Sequence, residues 1–568
     1  MKREFAVTKE KSATFGKEIA GNTEKKPTIS KENAGKSEEK SAKKKSKIKE
    51  SYGLLGGTLS LTISAVVVKL IGLVYKIPIS ALLGDEGMGY FNSAYTVFAF
   101  FYLLCTAGVP KAIMLMIADT DTKSGEFSSK SILSAALKFF GIIGGIFSLI
   151  TFVFAGGISS LIGSRGSIFT LMAISPALVI LAFSGVLRGY LSAKSRLFDI
   201  AISQLIEGVG KLALGLLLAG IGVRLGLRLQ MLSALAVLGV SIGAILGLLY
   251  LFVIYKTENK NEKAGQSENK ADFLRILKKI LSISLPVTLG AAVMNITSVL
   301  DLATIMRSLV KIGYSESYAA ALYGNYTTLA VPMFNLALTV VTPLTVAFLP
   351  PMRRAFLGSK RKDFSELEKS LSELTSFLAA PMLVGMLFYS SEILSILFKN
   401  SQIRSGAALL CLLAPAIFFA SLLGVVNSAL EAAGKIKAPL ISMTVGSLVK
   451  IPTSLYFITK TSLGVGGAAI GSVVCYAVAL ITSLLLYGME LKKKSCIFVS
   501  SILPYLCAFV SVSLSRFAFD RLKLGINQSL AFLICIAIAA LIYLALSMFS
   551  GIISREKMEK MAKYTKLS

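Results

Sequence analysis

Residues 230–255 read QMLSALAVLGVSIGAILGLLYLFVIY, a run that contains no Asp, Glu, Lys or Arg. It exceeds the roughly 20 apolar residues that a helix needs to cross a bilayer. Similar runs recur along the chain, and they are continuous rather than alternating, which favours helices over the strands of a membrane barrel. The 568-residue chain is 54% hydrophobic, with a mean hydropathy of +0.72. A soluble domain does not keep so much apolar surface out of water, so the sequence predicts an all-α integral membrane protein.

The apolar runs predict about fourteen transmembrane helices, here called spans 1 to 14. Basic residues concentrate in the segments that follow even-numbered spans, which by the positive-inside rule places both termini in the cytoplasm. The predicted spans are residues 54–77, 87–110, 131–154, 167–189, 199–222, 230–255, 274–300, 319–348, 371–397, 407–430, 437–458, 466–488, 496–518 and 528–550.

Polar stretches divide the chain into predicted domains. Residues 1–50 contain no apolar run and end in SAKKKSKIKE, which predicts a disordered, basic cytoplasmic tail. The longest interior polar stretch predicts a cytoplasmic linker at 256–273. It separates an N-lobe at 51–255, with spans 1–6, from a C-lobe at 274–490, with spans 7–12. Residues 491–568 would hold spans 13 and 14 and a second basic tail.

The net charge of +29 would suggest a nucleic-acid partner in a soluble protein. Here the basic residues lie in the tail and between apolar runs, where the membrane topology accounts for them. We therefore expect no nucleic-acid partner. The chain has no histidine, which removes the commonest zinc ligand and any Ser-His or Cys-His dyad. We therefore predict no catalytic residue and no metal site, and a transporter rather than an enzyme.

The two halves of the chain resemble each other. Residues 175–211 read SPALVILAFSGVLRGYLSAKSRLFDIAISQLIEGVGK, and residues 414–450 read APAIFFASLLGVVNSALEAAGKIKAPLISMTVGSLVK. Because six spans separate these stretches, the repeats share one orientation, which predicts two pseudo-symmetric six-helix lobes around a central site. One offset matches Pro176 with Pro415, Gly185 with Gly424, Leu191 with Leu430, Ala193 with Ala432 and Lys211 with Lys450. A second offset matches Tyr90 with Tyr323, Asn92 with Asn325 and Pro110 with Pro343.

Lys69 and Lys76 lie in span 1, seven residues apart and therefore on one helix face. A charge at a helix centre costs roughly 2.5–3.5 kcal/mol on insertion scales, so each one needs a reason. We interpret Lys69 as facing a wet central cavity, the alternative being a structural cation. Lys76 is nearer the outer end and can snorkel. Asn92 and Asn325, early in spans 2 and 8, are further candidates for substrate binding.

Glu207 and Lys211 stand at i, i+4 in span 5. They are either a neutralising pair within one helix or members of the cavity that binds substrate. Lys450, the repeat mate of Lys211, has no local acid, because Gly446 stands where Glu207 would.

Asp301, which ends the apolar run of span 7, is the candidate partner of Lys450. The pair would form an ion-coupling site in the C-lobe. The alternative is that Asp301 caps its helix or pairs with Arg307.

Residues 56–113 carry a resemblance to a known family, most specifically in LLGDEGMGYFN and TAGVPKAI. They resemble the stage V sporulation protein B-like branch of the multidrug/oligosaccharidyl-lipid/polysaccharide (MOP) exporter superfamily, which also includes MurJ and MATE proteins. The resemblance covers roughly 53–550 and implies a MATE/MurJ-like fold. Lys69 and Lys76 stand where MurJ-type proteins carry two cavity arginines, and Thr327 stands where they carry an arginine in the eighth span.

The resemblance implies a flippase in the bacterial cytoplasmic membrane that moves an undecaprenyl-diphosphate-linked saccharide. Its cargo would be the peptidoglycan precursor lipid II or a related cell-wall or spore-cortex precursor. We expect alternating access, a monomer, and as partners only the lipid-linked oligosaccharide and the bilayer, with Na⁺ or H⁺ as a coupling ion and no other cofactor. The alternative is a cation-coupled MATE-type exporter of small molecules, which the lysines of span 1 disfavour because they suit an anionic cargo.

Overall fold

The structure, a computed structural model, describes the backbone of residues 31–120, 127–258, 270–358, 361–398, 403–491, 497–523, 525 and 527–552. Side chains are described within these ranges except at 31–63, 65, 66, 69, 119, 120, 270–272, 286, 287, 289–291, 293, 294, 361 and 499. Residues 1–30 of the predicted N-terminal tail and 259–269 of the predicted linker therefore lie outside the described residues. Residues 31–50 of the tail have helical backbone, which differs from the predicted disorder. Contacts divide the chain into units at 1–59 and 60–568, and the side-chain contacts and cavities described below lie in the second unit.

Helices make up nearly all of the described backbone, which confirms the all-α class. They are α1 Lys31–Thr106, α2 Val109–Thr120, α3 Ser129–Val153, α4 Ala155–Ile162, α5 Ile168–Ile174, α6 Pro176–Ala193, α7 Leu197–Arg224, α8 Leu229–Glu258, α9 Lys270–Lys311, α10 Glu316–Asn325, α11 Val331–Leu357, α12 Arg361–Phe388, α13 Ser390–Leu397, α14 Ile403–Leu413, α15 Ala416–Ala432, α16 Lys437–Lys460, α17 Gly466–Leu491, α18 Ile497–Leu522 and α19 Gln528–Phe549. A π-helical segment, Tyr326–Ala330, joins α10 to α11.

Within the described residues, twelve helical segments are long and apolar enough to cross a membrane. Predicted span 1 and most of predicted span 2 lie in α1, where Gly84 interrupts the helix with φ 63° and ψ −175°. That left-handed φ suits a residue without a Cβ. Predicted span 7 lies in α9. The chain is a multi-pass membrane protein, and the count of fourteen spans stays a prediction.

The helix pairs in widest contact are α7 with α8 and α16 with α17. Both pairs cross closely at glycines: a Cβ at Gly239 would lie 2.5 Å from the backbone of Gly215, and a Cβ at Gly446 would collide with the Cys475 carbonyl. Such close approach lets apolar helices pack through backbone surfaces, as is common in membranes. The predicted repeat relates α7 to α16, so the two pairs stand at equivalent places in the two halves.

A second packing contact also has a counterpart at the repeat offset. A Cβ at Gly185 in α6 would lie 3.6 Å from Thr106 Cγ2, and a Cβ at Gly424 in α15 would lie 3.3 Å from Thr345 Cγ2. Gly185 and Gly424 are matched positions of the predicted repeat. This parallel packing supports the proposal of two related lobes.

The last two helices associate with the second half of the chain. Helix α18 packs against α12, and α19 packs against α18. An ion pair joins Arg516 of α18 to Glu392 of α13, with Nη1 and Oε1 2.7 Å apart. The Arg516 guanidinium also lies over the ring of Tyr389, 5.2 Å from its centroid.

Candidate functional site

The first half of the chain encloses a cavity of about 480 Å³, here called the N-cavity. Its wall is formed by α1, α6, α7 and α8. Most of the lining is apolar or aromatic, with a few polar groups that converge on the space, as is typical of binding sites. The polar and aromatic lining residues are Tyr75, Tyr95, Phe98, Tyr102, Arg188, Gln204, Glu207 and Lys211.

An ion pair crosses the N-cavity wall between α6 and α7. Arg188 Nη2 donates to Glu207 Oε2 at 2.8 Å, and the two side chains are 13% and 28% exposed. Arg188 Nε also donates to Ser203 Oγ at 3.4 Å. Glu207 therefore pairs with Arg188 of the neighbouring helix, and the neutralising pair with Lys211 that its i, i+4 spacing allowed is not formed.

Lys211 is held instead by aromatic rings. Its Nζ lies 4.6 Å from the ring centroid of Tyr95 and 5.5 Å from that of Tyr75. The negative faces of the rings attract the ammonium group without removing its charge. Among the described residues, Lys211 forms no ion pair, so its positive charge faces the N-cavity.

The aromatic side of the N-cavity is a ladder of rings along α1. Phe91 stacks on Tyr95 with centroids 6.2 Å apart and planes at 6°, and Phe98 stacks on Tyr102 at 5.8 Å and 15°. Phe91 and Phe98 are 2% and 3% exposed. The two tyrosines keep partial exposure and line the cavity. Stacking on buried rings fixes the orientation of the tyrosines.

A smaller cavity of about 320 Å³, here called the C-cavity, is lined by the second half together with Thr96 of α1. Lys450 Nζ of α16 lies 2.7 Å from Asp301 Oδ2 of α9, and the side chains are 18% and 11% exposed. Asp301 thus pairs with Lys450, so the alternative pairing with Arg307 is wrong. The other oxygen, Asp301 Oδ1, is buried and has no hydrogen-bond partner among the described residues.

Tyrosines and hydroxyl groups complete the C-cavity. Tyr326, in the π-helical segment, shares a 3.0 Å hydrogen bond between its hydroxyl and Ser472 Oγ. Tyr323 and Tyr476 line the same space. In the described part of the chain no group of three or more His, Cys, Asp or Glu side chains is placed to hold a metal ion.

Lys76 bridges the two halves at a third cavity, of about 530 Å³, between α1 and α11. Its Nζ donates to the Thr327 carbonyl at 2.9 Å. Thr327 lies in the π-helical segment, and π turns often mark functional positions. The side chain of Lys69 lies outside the described residues, so its cavity role stays a prediction.

Asn92 and Asn325 are buried where α1 meets α10, and neither lines the three cavities described above. Asn92 Nδ2 donates to Thr328 Oγ1 at 2.9 Å, and Asn325 Nδ2 to Ser405 Oγ at 3.5 Å. Asn92 thus links the two halves, and a binding role for either asparagine stays a prediction.

Sequence reasoning missed Arg188 and Tyr95 as site residues. Arg188 lies near the end of predicted span 4, where a basic residue reads as a topology signal. Tyr95 belongs to an aromatic stripe, Phe91, Tyr95, Phe98 and Tyr102, whose spacing marks one helix face. Such a stripe usually packs in a core, and only the helices opposite it reveal a cavity.

Comparisons with known proteins agree with this architecture. A protein family described as "Polysaccharide biosynthesis protein" matches residues 54–356. "Stage V sporulation protein B" of Bacillus subtilis (strain 168) is 25% identical over 523 residues, covering 89% of this chain and 97% of that protein. "Lipid II flippase MurJ" of the same organism is 20% identical over 466 residues, covering 78% and 82%.

Two solved structures share the fold. "Lipid II flippase MurJ, inward closed conformation" superposes with a TM-score of 0.66 at 18% identity, covering 86% of this chain and 98% of that one. An inward-facing multidrug resistance MATE family transporter of the MOP superfamily gives 0.63 at 14% identity, covering 77% and 98%. The MATE/MurJ-like fold that the sequence predicts is therefore confirmed.

Proposed function

Because this chain belongs to the polysaccharide biosynthesis protein family, we propose that it is a flippase for an undecaprenyl-diphosphate-linked saccharide. The cargo would be lipid II or a related cell-wall or spore-cortex precursor. Two relatives support this choice by name, stage V sporulation protein B and lipid II flippase MurJ. The protein would act in the bacterial cytoplasmic membrane, with both of its termini in the cytoplasm.

The observation that carries the proposal is the charge of the N-cavity. Among the side chains that the structure describes, no acid pairs with Lys211, and Arg188 shares its charge with Glu207. The three groups sum to one positive charge inside a membrane bundle. An unpaired cation there is costly unless it meets an anion. A diphosphate headgroup supplies one, whereas a cationic drug would be repelled.

Contacts between the two halves suggest how access would alternate. Asn92 to Thr328 and Lys76 to the Thr327 carbonyl join α1 to the π-helical segment. Gly89 lies so close to Ala320 that a Cβ there would collide with its carbonyl. In the other conformation of the alternating-access cycle, the two halves would separate at this crossing. The lipid tail would stay in the bilayer throughout.

A coupling ion, Na⁺ or H⁺, is part of the proposal. The C-cavity is its suggested place, because the buried Asp301 Oδ1 has no hydrogen-bond partner among the described residues. The Lys450–Asp301 pair would respond to the ion and transmit its binding through α9 and α16. Translocation that is unaffected when both the Na⁺ and the H⁺ gradients are collapsed would contradict this coupling.

Translocation of lipid II to the cell surface in a strain depleted of its own flippase tests the proposal. Expression of the wild-type chain should restore surface lipid II. Lys211→Met and Lys69→Ala should each abolish the restoration, because they remove the cations proposed to meet the diphosphate. Lys311→Ala is the matched control, since Lys311 is exposed at the end of α9.

The outcomes separate the two candidate functions. Failure of the wild-type chain to restore surface lipid II, together with export of a cationic dye, would replace the flippase by a MATE-type exporter. Restoration by Lys211→Met at the wild-type level would refute the role of the N-cavity charge. Restoration by Lys69→Ala would refute a cavity role for that lysine.

A further inference from the structure

The N-cavity combines a flat aromatic face with hydrogen-bonding groups of both polarities. We propose that it is the binding site for a sugar ring of the lipid-linked cargo, with Tyr95 as the stacking face. This inference rests on the proposed flippase function and assigns the saccharide to the first half of the chain. The size of the cavity, about 480 Å³, falls within the range of roughly 300–1,000 Å³ that is usual for small-molecule sites.

The aromatic face suits a sugar because a pyranose ring presents a flat array of C–H groups on one side. These groups carry partial positive charge and pack on the negative face of an aromatic ring. Tyr95 is held by stacking on Phe91, with planes at 6°, so little freedom is lost when a ring docks against it. Phe91 is buried, whereas Tyr95 is only partly buried and lines the cavity, so part of the tyrosine ring beside Lys211 stays open to a ligand.

The polar wall suits hydroxyl groups, which both donate and accept hydrogen bonds. Arg188 has five N–H donors, and the contacts to Glu207 and Ser203 use only part of them. The Glu207 carboxylate keeps acceptor capacity beside it. Gln204, whose Oε1 accepts from Ser64 Oγ at 3.3 Å, adds an amide. Two neighbouring hydroxyls of a sugar ring could thus bind to this ion pair, one accepting from Arg188 and the other donating to Glu207.

Lys211 indicates how a saccharide would be oriented in this site. Its ammonium lies 4.6 Å from the Tyr95 ring centroid, so a sugar stacked on that ring would sit beside a cation. In a diphosphate-linked saccharide the first sugar carries the diphosphate, and that link would point toward Lys211. A site built only to bury a lysine would not need Arg188, Glu207 and Gln204 around the same space.

Binding measurements on the full-length protein in nanodiscs test the assignment. Two probes are needed, a farnesyl-diphosphate-linked N-acetylated disaccharide and farnesyl diphosphate without sugar. Tyr95→Ala should weaken binding of the saccharide probe by about tenfold through loss of stacking and leave binding of farnesyl diphosphate unchanged. Tyr456→Ala, at an exposed tyrosine of α16, is the matched control and should alter neither.

A second variant guards against misfolding of Tyr95→Ala. The chain contains no tryptophan, so Tyr95→Trp keeps an aromatic face and becomes the sole indole fluorophore. The saccharide probe should shift its emission in a saturable way and by more than farnesyl diphosphate does, because both would lie near position 95 but only the sugar would stack on its ring. Absence of any shift at a saturating concentration of the saccharide probe would overturn the assignment.

The remaining outcomes separate this inference from the proposed function. Equal affinity of Tyr95→Ala and wild type for the saccharide probe would refute the sugar site and leave the flippase function intact. Equal loss of affinity for both probes would refute a sugar-specific role of Tyr95. Wild-type protein that does not bind the saccharide probe at all would overturn the proposed function together with the sugar site.

Discussion

The N-cavity and the C-cavity each hold one lysine at a matched position of the repeat, Lys211 and Lys450, yet the two lysines have opposite surroundings. Lys211 lies over the Tyr95 ring, 4.6 Å from its centroid. Lys450 lies 2.7 Å from an Asp301 carboxylate oxygen. Rings leave a cation its charge, whereas a carboxylate cancels it. The first half therefore keeps a positive charge that no described carboxylate cancels, and the second half holds a neutral pair.

The repeat offset explains how this difference arises. The counterpart of Arg188 is Asn427, whose Oδ1 accepts a hydrogen bond from Ser483 at 2.7 Å, and the counterpart of Glu207 is Gly446. In the first half, Arg188 and Glu207 thus form an ion pair with each other. In the second half, Gly446 at the position matched to Glu207 instead lets α16 approach α17 closely. Asp301 then supplies from α9 the acid that α16 lacks.

The largest expected effect is on the buried pair of the C-cavity. Asp301→Ala should lower the free energy of unfolding by about 3–5 kcal/mol, because it leaves Lys450 buried without its carboxylate. Thermal unfolding in detergent, followed by circular dichroism, measures this. The double variant Asp301→Ala, Lys450→Met should regain most of the loss. A double variant no more stable than Asp301→Ala would mean that the two groups do not act as partners.

A smaller loss is expected at the close helix crossing of the second half. Gly446→Ala should destabilise by about 1–3 kcal/mol, because its Cβ would collide with the Cys475 carbonyl and force α16 from α17. Gly385→Ala is the matched control, since nothing lies within 4 Å of its Cβ position in α12. The same thermal assay compares the two. An unchanged melting temperature for Gly446→Ala would contradict the close crossing.

The ion pair of the N-cavity should matter less for stability and more for transport. Glu207→Gln should cost about 1 kcal/mol, because its side chain is 28% exposed against 11% for Asp301 and water screens the unpaired Arg188. Surface lipid II in the flippase-depleted strain should nevertheless fall. Asp301→Asn is the comparison in the thermal assay. A larger stability loss for Glu207→Gln than for Asp301→Asn would reverse the contrast between the cavities.

An effect on stability similar to that of Glu207→Gln, but without a loss of transport, is expected for a single hydroxyl of the C-cavity. Tyr326→Phe should lower the free energy of unfolding by about 0.5–1.5 kcal/mol through loss of the buried hydrogen bond to Ser472. Tyr456→Phe, at an exposed ring of α16, should change the melting temperature little. Equal melting temperatures for the two variants would indicate that the Tyr326 hydroxyl adds no stability.

Much of the fold was predictable because hydropathy acts locally. Apolar runs such as 230–255 predicted helix α8, which spans Leu229–Glu258, and no long-range information was needed. Lys450 was predicted to need an acid from another helix because none stood near it in sequence. The partner of Glu207 was harder to predict, because either Lys211 in its own helix or an arginine in another helix could neutralise its carboxylate.

The sequence by itself determined that this chain is a helical membrane protein, because burial in lipid demands apolar helices. Its motifs at residues 82–92 and 106–113 carried the resemblance to the exporter superfamily. Only the tertiary structure decided which charges are cancelled. Arg188 takes Glu207, Asp301 takes Lys450, and Lys211 is left to two tyrosine rings. The reason is physical: the energy of a charge depends on atoms a few ångströms away, and those atoms come from helices distant along the chain.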